Sequence, residues 1–126
     1  MILRNLSAST AFVTKDGSEI RSILDLSNAP VRQQSLAEAS LEPGRSTMRH
    51  RHPHSEEFYF VTQGEGLMEL DGETKAVGVG DAILIPAGLA HQILNTGKQS
   101  LKILCCCAPP YRHEDTEFVP LERASA

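Results

Sequence analysis

Apolar positions along this chain fall in short runs separated by glycine- and proline-bearing turns, a pattern that predicts many short strands and little helix. Residues 12–14 read as a short strand running into the turn Lys15-Asp16-Gly17. Ile20, Ile23 and Leu24 recur at i, i+3 and i+4, which predicts a helical turn capped by Ser18, an irregular segment being the alternative. Residues 27–30 form a loop, and 36–41 carry Leu-Ala-Glu-Ala, good helix composition by propensity. EFYFV, from Glu57 to Val61, is aromatic and β-branched and predicts a strand. Gly64-Glu65-Gly66 reads as a hairpin turn ahead of a strand over 67–70, and Asp71-Gly72 is a strong type I′ hairpin signal before 74–77.

Residues 82–85, Ala-Ile-Leu-Ile, are apolar at both parities, as expected of a strand covered on both faces by a second sheet or a second subunit. Pro86 ends that strand, Gly88 permits a tight turn, and His91 opens the next one. After a turn at 96–98, a strand over 101–107 stops at Pro109-Pro110. The polar tail YRHEDTEFVPLERASA packs as an arm through Tyr111, Phe118 and Val119 and frays at its end. This pattern gives an all-β sandwich or barrel.

The chemistry concentrates in two stretches. In RHRHPHSEE, His50 and His52 share one strand face while Arg49 and Arg51 share the other. Pro53 turns the chain back, so Glu57 at the start of the following strand can face the same interior, and His91 completes a set of three histidines and one carboxylate. Such a set suits one divalent transition metal ion, Fe, Mn, Ni, Cu or Zn, with coordination positions left for a substrate. A register shift of one residue puts Glu56 in place of Glu57, and the glutamate left over pairs with Arg49 or Arg51. His54, outside the ligand set, is either a loop histidine or a catalytic acid/base. Tyr59 has the parity of Glu57 and either lines the pocket as a catalytic candidate or packs the barrel, whereas Phe58 and Phe60 pack in the other layer.

At 126 residues there is room for one domain with its own core. No apolar run approaches the roughly 20 residues of a membrane helix, and the first ten residues lack the apolar core of a secretory signal, so the protein reads as soluble and cytoplasmic, with no membrane partner. A formal net charge of −4 argues against a nucleic-acid partner. The three cysteines, Cys105, Cys106 and Cys107, are contiguous and do not make a disulfide framework; Cys105 and Cys107 share the more interior-looking face.

The two stretches resemble the two motifs of the cupins. Gly44, His50, His52, Glu57 and Gly64 fit the first without a gap; Gly80, Pro86, Gly88, His91 and Asn95 fit the second, with fifteen residues between the motifs as in compact single-domain microbial members. The resemblance implies a single jelly-roll domain over 1–126, its core at about 31–108 between N- and C-terminal arms, and a strand at 36–41 that those residues do not themselves favour. It also implies a metal held by His50, His52, Glu57 and His91, and a homodimer formed through an outer sheet face. Cupins serve many functions on one fold. The expected function is a metal-dependent enzyme of dioxygenase or isomerase type, acting on a small neutral or mono-acidic molecule; the alternative is a non-catalytic module binding a sugar or small acid. A storage role fits less well, because storage members carry two barrels in one chain.

Overall fold

A computed structural model describes residues 1–121. Eleven strands carry the fold: β1 (Phe12–Val13), β2 (Glu19–Leu24), β3 (Ser35–Leu41), β4 (His50–Arg51), β5 (Glu56–Gln63), β6 (Glu65–Leu70), β7 (Glu73–Gly78), β8 (Ala82–Ile85), β9 (His91–Asn95), β10 (Leu101–Ala108) and β11 (Glu117–Phe118). They form two antiparallel sheets, one ordered β1-β2-β3-β10-β5-β8 and the other β11-β4-β9-β6-β7. The expected all-β jelly roll is what the chain adopts, and among the described residues no helix is long and apolar enough to cross a membrane.

The core lies between the sheets. Alternation along β5 turns Glu57, Tyr59 and Val61 inward and leaves Glu56, Phe58 and Phe60 outside, and β10 contributes Leu101 and Ile103 to the same interior. From the facing sheet, Met68 and Ile93 meet them. The segment 36–41 is a strand despite its helix-favouring composition, because β2 and β10 flank it on both edges.

Several expectations from local pattern are overturned. Residues 20–24 are the strand β2, with Ile20 opposite Ala39, and not a helical turn: a three-residue apolar coincidence carries less weight than a sheet edge that satisfies the backbone. The segment ahead of residue 31 therefore adds two strands to a sheet. Gly64 is not in a hairpin, because β5 and β6 belong to different sheets; at φ 81° it turns the corner between them. Phe58 and Phe60 do not pack in another layer but stand on the outer face, 50% and 43% exposed. The fraying expected of the tail's end falls on 122–126, outside the described residues.

The Asp71-Gly72 hairpin forms as expected, with both residues at positive φ joining β6 to β7. Gly66 is needed for a different reason, close approach. A Cβ there would stand 2.7 Å from the Leu94 carbonyl oxygen of the paired strand β9. Gly66→Ala is accordingly expected to destabilise the protein by about 1–3 kcal/mol, read as an earlier midpoint in urea unfolding. An unchanged midpoint would contradict this packing.

Candidate metal centre

Three strand ends meet at one point in the interior. His50 and His52 come from β4 and the residue after it, and His91 opens β9 directly opposite His50. Their ligand atoms lie within 4.8 Å of one another, and all three side chains are buried. The turn of the second histidine stretch holds the first in place, since the Gly88 N–H donates to the His52 carbonyl oxygen at 2.8 Å. Asn95, also buried, donates to the carbonyls of Leu41 and Gln99 and anchors the chain as it leaves β9.

Each imidazole is oriented by a backbone carbonyl. His50 Nδ1 meets Met48 O at 2.7 Å, His52 Nδ1 meets Asp115 O at 3.0 Å, and His91 Nδ1 meets Leu89 O at 3.1 Å. A carbonyl only accepts, so each Nδ1 carries the proton and each Nε2 directs a lone pair at the centre. Glu57 Oε1 lies 3.4 Å from His52 Nε2 and 3.5 Å from His91 Nε2. Its other oxygen accepts a hydrogen bond from the Cys107 thiol at 3.1 Å.

Glu57 Oε1 and His91 Nε2 are buried without a hydrogen-bond partner among the described residues. Buried acceptors facing one another are costly, and only a positive charge among them, a proton or a metal cation, relieves the arrangement. Two atoms bound to one ion at about 2.1 Å and near the tetrahedral angle stand about 3.4 Å apart, so the Glu57–imidazole separations suit a shared ion. The residues present therefore fit a divalent metal.

The electrostatics agree. Burial lowers the His50 pKa, and His91 lowers it further, keeping the ring neutral and free to ligate. Burial also acts to lower His52, but the adjoining Glu57 outweighs it and leaves the pKa raised. Burial alone would raise Glu57, yet the imidazoles of His52 and His91 hold it well below the usual carboxylate range, so it is ionised. Burial, then the Glu57 charge, push the Cys107 thiol up, which keeps it protonated as a donor.

A cupin domain match covers residues 37–107, from within β3 to Cys107. The chain belongs to the cupin family. This cupin is 49% identical over 108 residues to the uncharacterized protein MJ1618 of Methanocaldococcus jannaschii, covering 86% of each chain. It is 29% identical over 108 residues to the polyketide synthase protein CurC of Streptomyces cyaneus, covering 82% of this chain and 70% of that one. Among solved structures it resembles the polyketide cyclase RemF of Streptomyces resistomycificus, with a TM-score of 0.80, 24% identity and coverage of 97% and 87%, a likeness of fold.

Of the residues expected at the cupin centre, His50, His52 and His91 are brought together, and Glu57 reaches two of them, His52 and His91. Glu56 is exposed on the opposite face of β5. It does not pair with the neighbouring arginines either, because Arg49 bridges to Glu69 and Arg51 to Glu117. Tyr59 is buried, lines the cavity over the centre and meets the His91 ring edge-on at 5.8 Å. His54 is not brought to the cavity: its ring is 83% exposed and engages Asp115 at 2.6 Å. Cys105 and Cys107 line the cavity, as their shared parity predicted.

Three contributions went unseen in the sequence. Asp16, in the turn between β1 and β2, brings Oδ2 to 3.5 Å from His50 Nε2. Asp115 supplies its backbone carbonyl to His52 and its carboxylate to the N–H groups of His54 and Ser55. Tyr111 stands at the cavity wall with its ring edge toward His52, and burial lifts its hydroxyl to about 12. All three lie more than thirty residues from the histidine they serve, and no local spacing connects them to it.

Proposed function

We propose that this cupin is a metal-dependent enzyme acting on a small neutral or mono-acidic carbonyl compound, by isomerase-type proton transfer at a centre of His50, His52, His91 and Glu57. The observation that carries this reading is the set of converging buried acceptors, two of them without a hydrogen-bond partner among the described residues, beside a largely apolar cavity that His50, His52 and Glu57 line. Phe12, Ile20, Leu41, Ile93 and Ile103 supply apolar walls, and among the described residues neither Lys nor Arg lines the cavity. A phosphorylated substrate would find no cationic partner there. A compound with one carboxylate or none fits better, and the likeness to CurC agrees, since polyketides are rich in enolisable carbonyls.

A divalent ion held at this centre supplies Lewis-acid polarisation of a substrate carbonyl. The chain's own residues prepare the rest. The carbonyls of Met48, Asp115 and Leu89 fix the histidine tautomers, so the ligand geometry precedes substrate binding. Cys107 restrains Glu57 through one oxygen and leaves the other free to ligate. The apolar walls exclude water and strengthen each electrostatic contact inside. Tyr111, protonated at neutral pH, stands at the cavity wall with its hydroxyl against His113 Nδ1 at 3.1 Å.

The test is a panel of diketones, hydroxy acids, thiols and sugars, supplied with Mn2+ or Fe2+ and followed by proton-deuterium exchange, product mass and oxygen uptake. The expected result is exchange or isomerisation of a carbonyl compound that disappears in His91→Ala. Oxygen uptake with incorporation into product would replace this reading with a dioxygenase. The second reading, a binding module, is favoured by one observation: Phe12 from the N-terminal segment and Tyr111 and Thr116 from the C-terminal one all line the cavity. A panel member that raises the melting temperature without any product would establish it.

A further inference from the structure

The turn of residues 14–18 is built to aim one carboxylate oxygen at the centre. Asp16 Oδ1 collects every donor on offer, Thr14 Oγ1 at 2.7 Å, Ser18 N at 2.9 Å and Ser18 Oγ at 2.6 Å. Oδ2 receives no hydrogen bond among the described residues and points at His50 Nε2, 3.5 Å away. The turn is tied to the histidine strand by a single peptide unit. Met48 N donates to the Asp16 carbonyl at 2.7 Å, while Met48 O holds His50 Nδ1. Asp16 and His50 are thereby held in fixed relation, although 34 positions separate them in sequence.

With Nδ1 protonated, His50 Nε2 presents a lone pair to Asp16 Oδ2. Two acceptors facing one another repel, yet the fold invests three hydrogen bonds on Oδ1 in maintaining this pose. The separation matches that of Glu57 Oε1 from its two imidazoles, and each such carboxylate–imidazole pair stands at a distance that suits two atoms bound to one ion. We infer that Asp16 is a direct ligand of the metal, a second carboxylate opposite Glu57, so that the centre comprises three imidazoles and two carboxylates. This rests on the metal reading proposed above. Two carboxylates neutralise a divalent cation and favour the harder, oxygen-preferring ions such as Mn2+ and Fe2+ over Cu2+. Five protein ligands leave less room for substrate than four, so a substrate that chelates through two oxygens would bind by displacing Asp16.

Asp16→Asn and Asp16→Ala, each with and without Mn2+ or Co2+, test this. In Asp16→Asn the amide oxygen keeps the donors of Thr14 and Ser18, and the amide NH2 donates to His50 Nε2, replacing a repulsion with a hydrogen bond. The metal-free Asn variant is therefore expected to melt at or above the metal-free wild type, while its Mn2+ affinity, by competition with a chromophoric chelator, falls tenfold or more. Co2+ bound to either variant is expected to show more intense d–d absorption than in wild type, as its coordination number drops. A purely structural role would lower stability and affinity together and leave the Co2+ spectrum alone, and that outcome overturns the inference. So does wild-type affinity with an unchanged spectrum in Asp16→Ala. Failure of the wild type to bind either ion would instead overturn the metal reading, and this inference with it.

Discussion

His52→Ala is expected to abolish stoichiometric metal binding, whereas the wild type, purified without a histidine tag, retains about one transition-metal ion per chain. The loss should be complete rather than partial, because His52 is one of three buried imidazoles converging on the centre and the nearest to Glu57 Oε1. Saturating metal at 100-fold over its dissociation constant stabilises a folded protein by roughly 2.7 kcal/mol, so added Mn2+ should raise the wild-type melting temperature and leave His52→Ala unmoved. Acidification should mimic the mutation. Glu57 lifts the His52 pKa above its ordinary value of 6.5, so a proton competes with the metal at His52 from a higher pH than at an ordinary histidine. Affinity is then full well above the raised pKa and declines as pH falls through it. Full metal content in a His50→Ala/His91→Ala double variant would sink the assignment.

Light scattering at micromolar concentration is expected to give twice the monomer mass of 13.7 kDa. The face responsible is the outside of the six-stranded sheet. Phe58 lies opposite Leu84 on one side and Cys106 on the other, and Phe60 lies opposite Ala82 and Leu104, which makes a continuous apolar patch across β8, β5 and β10. Phe58 and Leu84 are half exposed there, at 50% and 53%. Exposed apolar surface of this kind on a β-sheet face marks an interaction site. Burying a fully exposed phenylalanine contributes at least about 1.5 kcal/mol, and these two are already about half buried in the monomer, so the two from each subunit sum to roughly 3 kcal/mol, or about two orders of magnitude in dissociation constant. Phe58→Lys/Phe60→Lys should therefore be monomeric and, because both side chains point away from the core, still folded. A wild-type mass near 13.7 kDa would contradict the dimer.

The sequence by itself determined the strand-rich architecture and the three histidines of the candidate centre, with Glu57 preferred over Glu56, and it did so for a local reason. His50, His52 and Glu57 fall on one side of a chain that reverses at Pro53, and the alternation of β4 and β5 decides which side chains face inward. His91 was legible through Pro86 and Gly88, which fix where β8 stops and β9 begins. Only the tertiary structure decided the remainder. Residues 20–24 became a strand because β3 offered an edge, and Gly64 became a corner because β5 and β6 pair with different neighbours. Both outcomes depend on hydrogen-bond partners remote in sequence, which no periodicity encodes. The same holds at the centre, where Asp16 and Asp115 reach His50 and His52 from opposite ends of the chain. A carboxylate in a turn and a backbone carbonyl in a tail carry no signal of their own, and they acquire a role only when closure of the two sheets sets them against a buried imidazole.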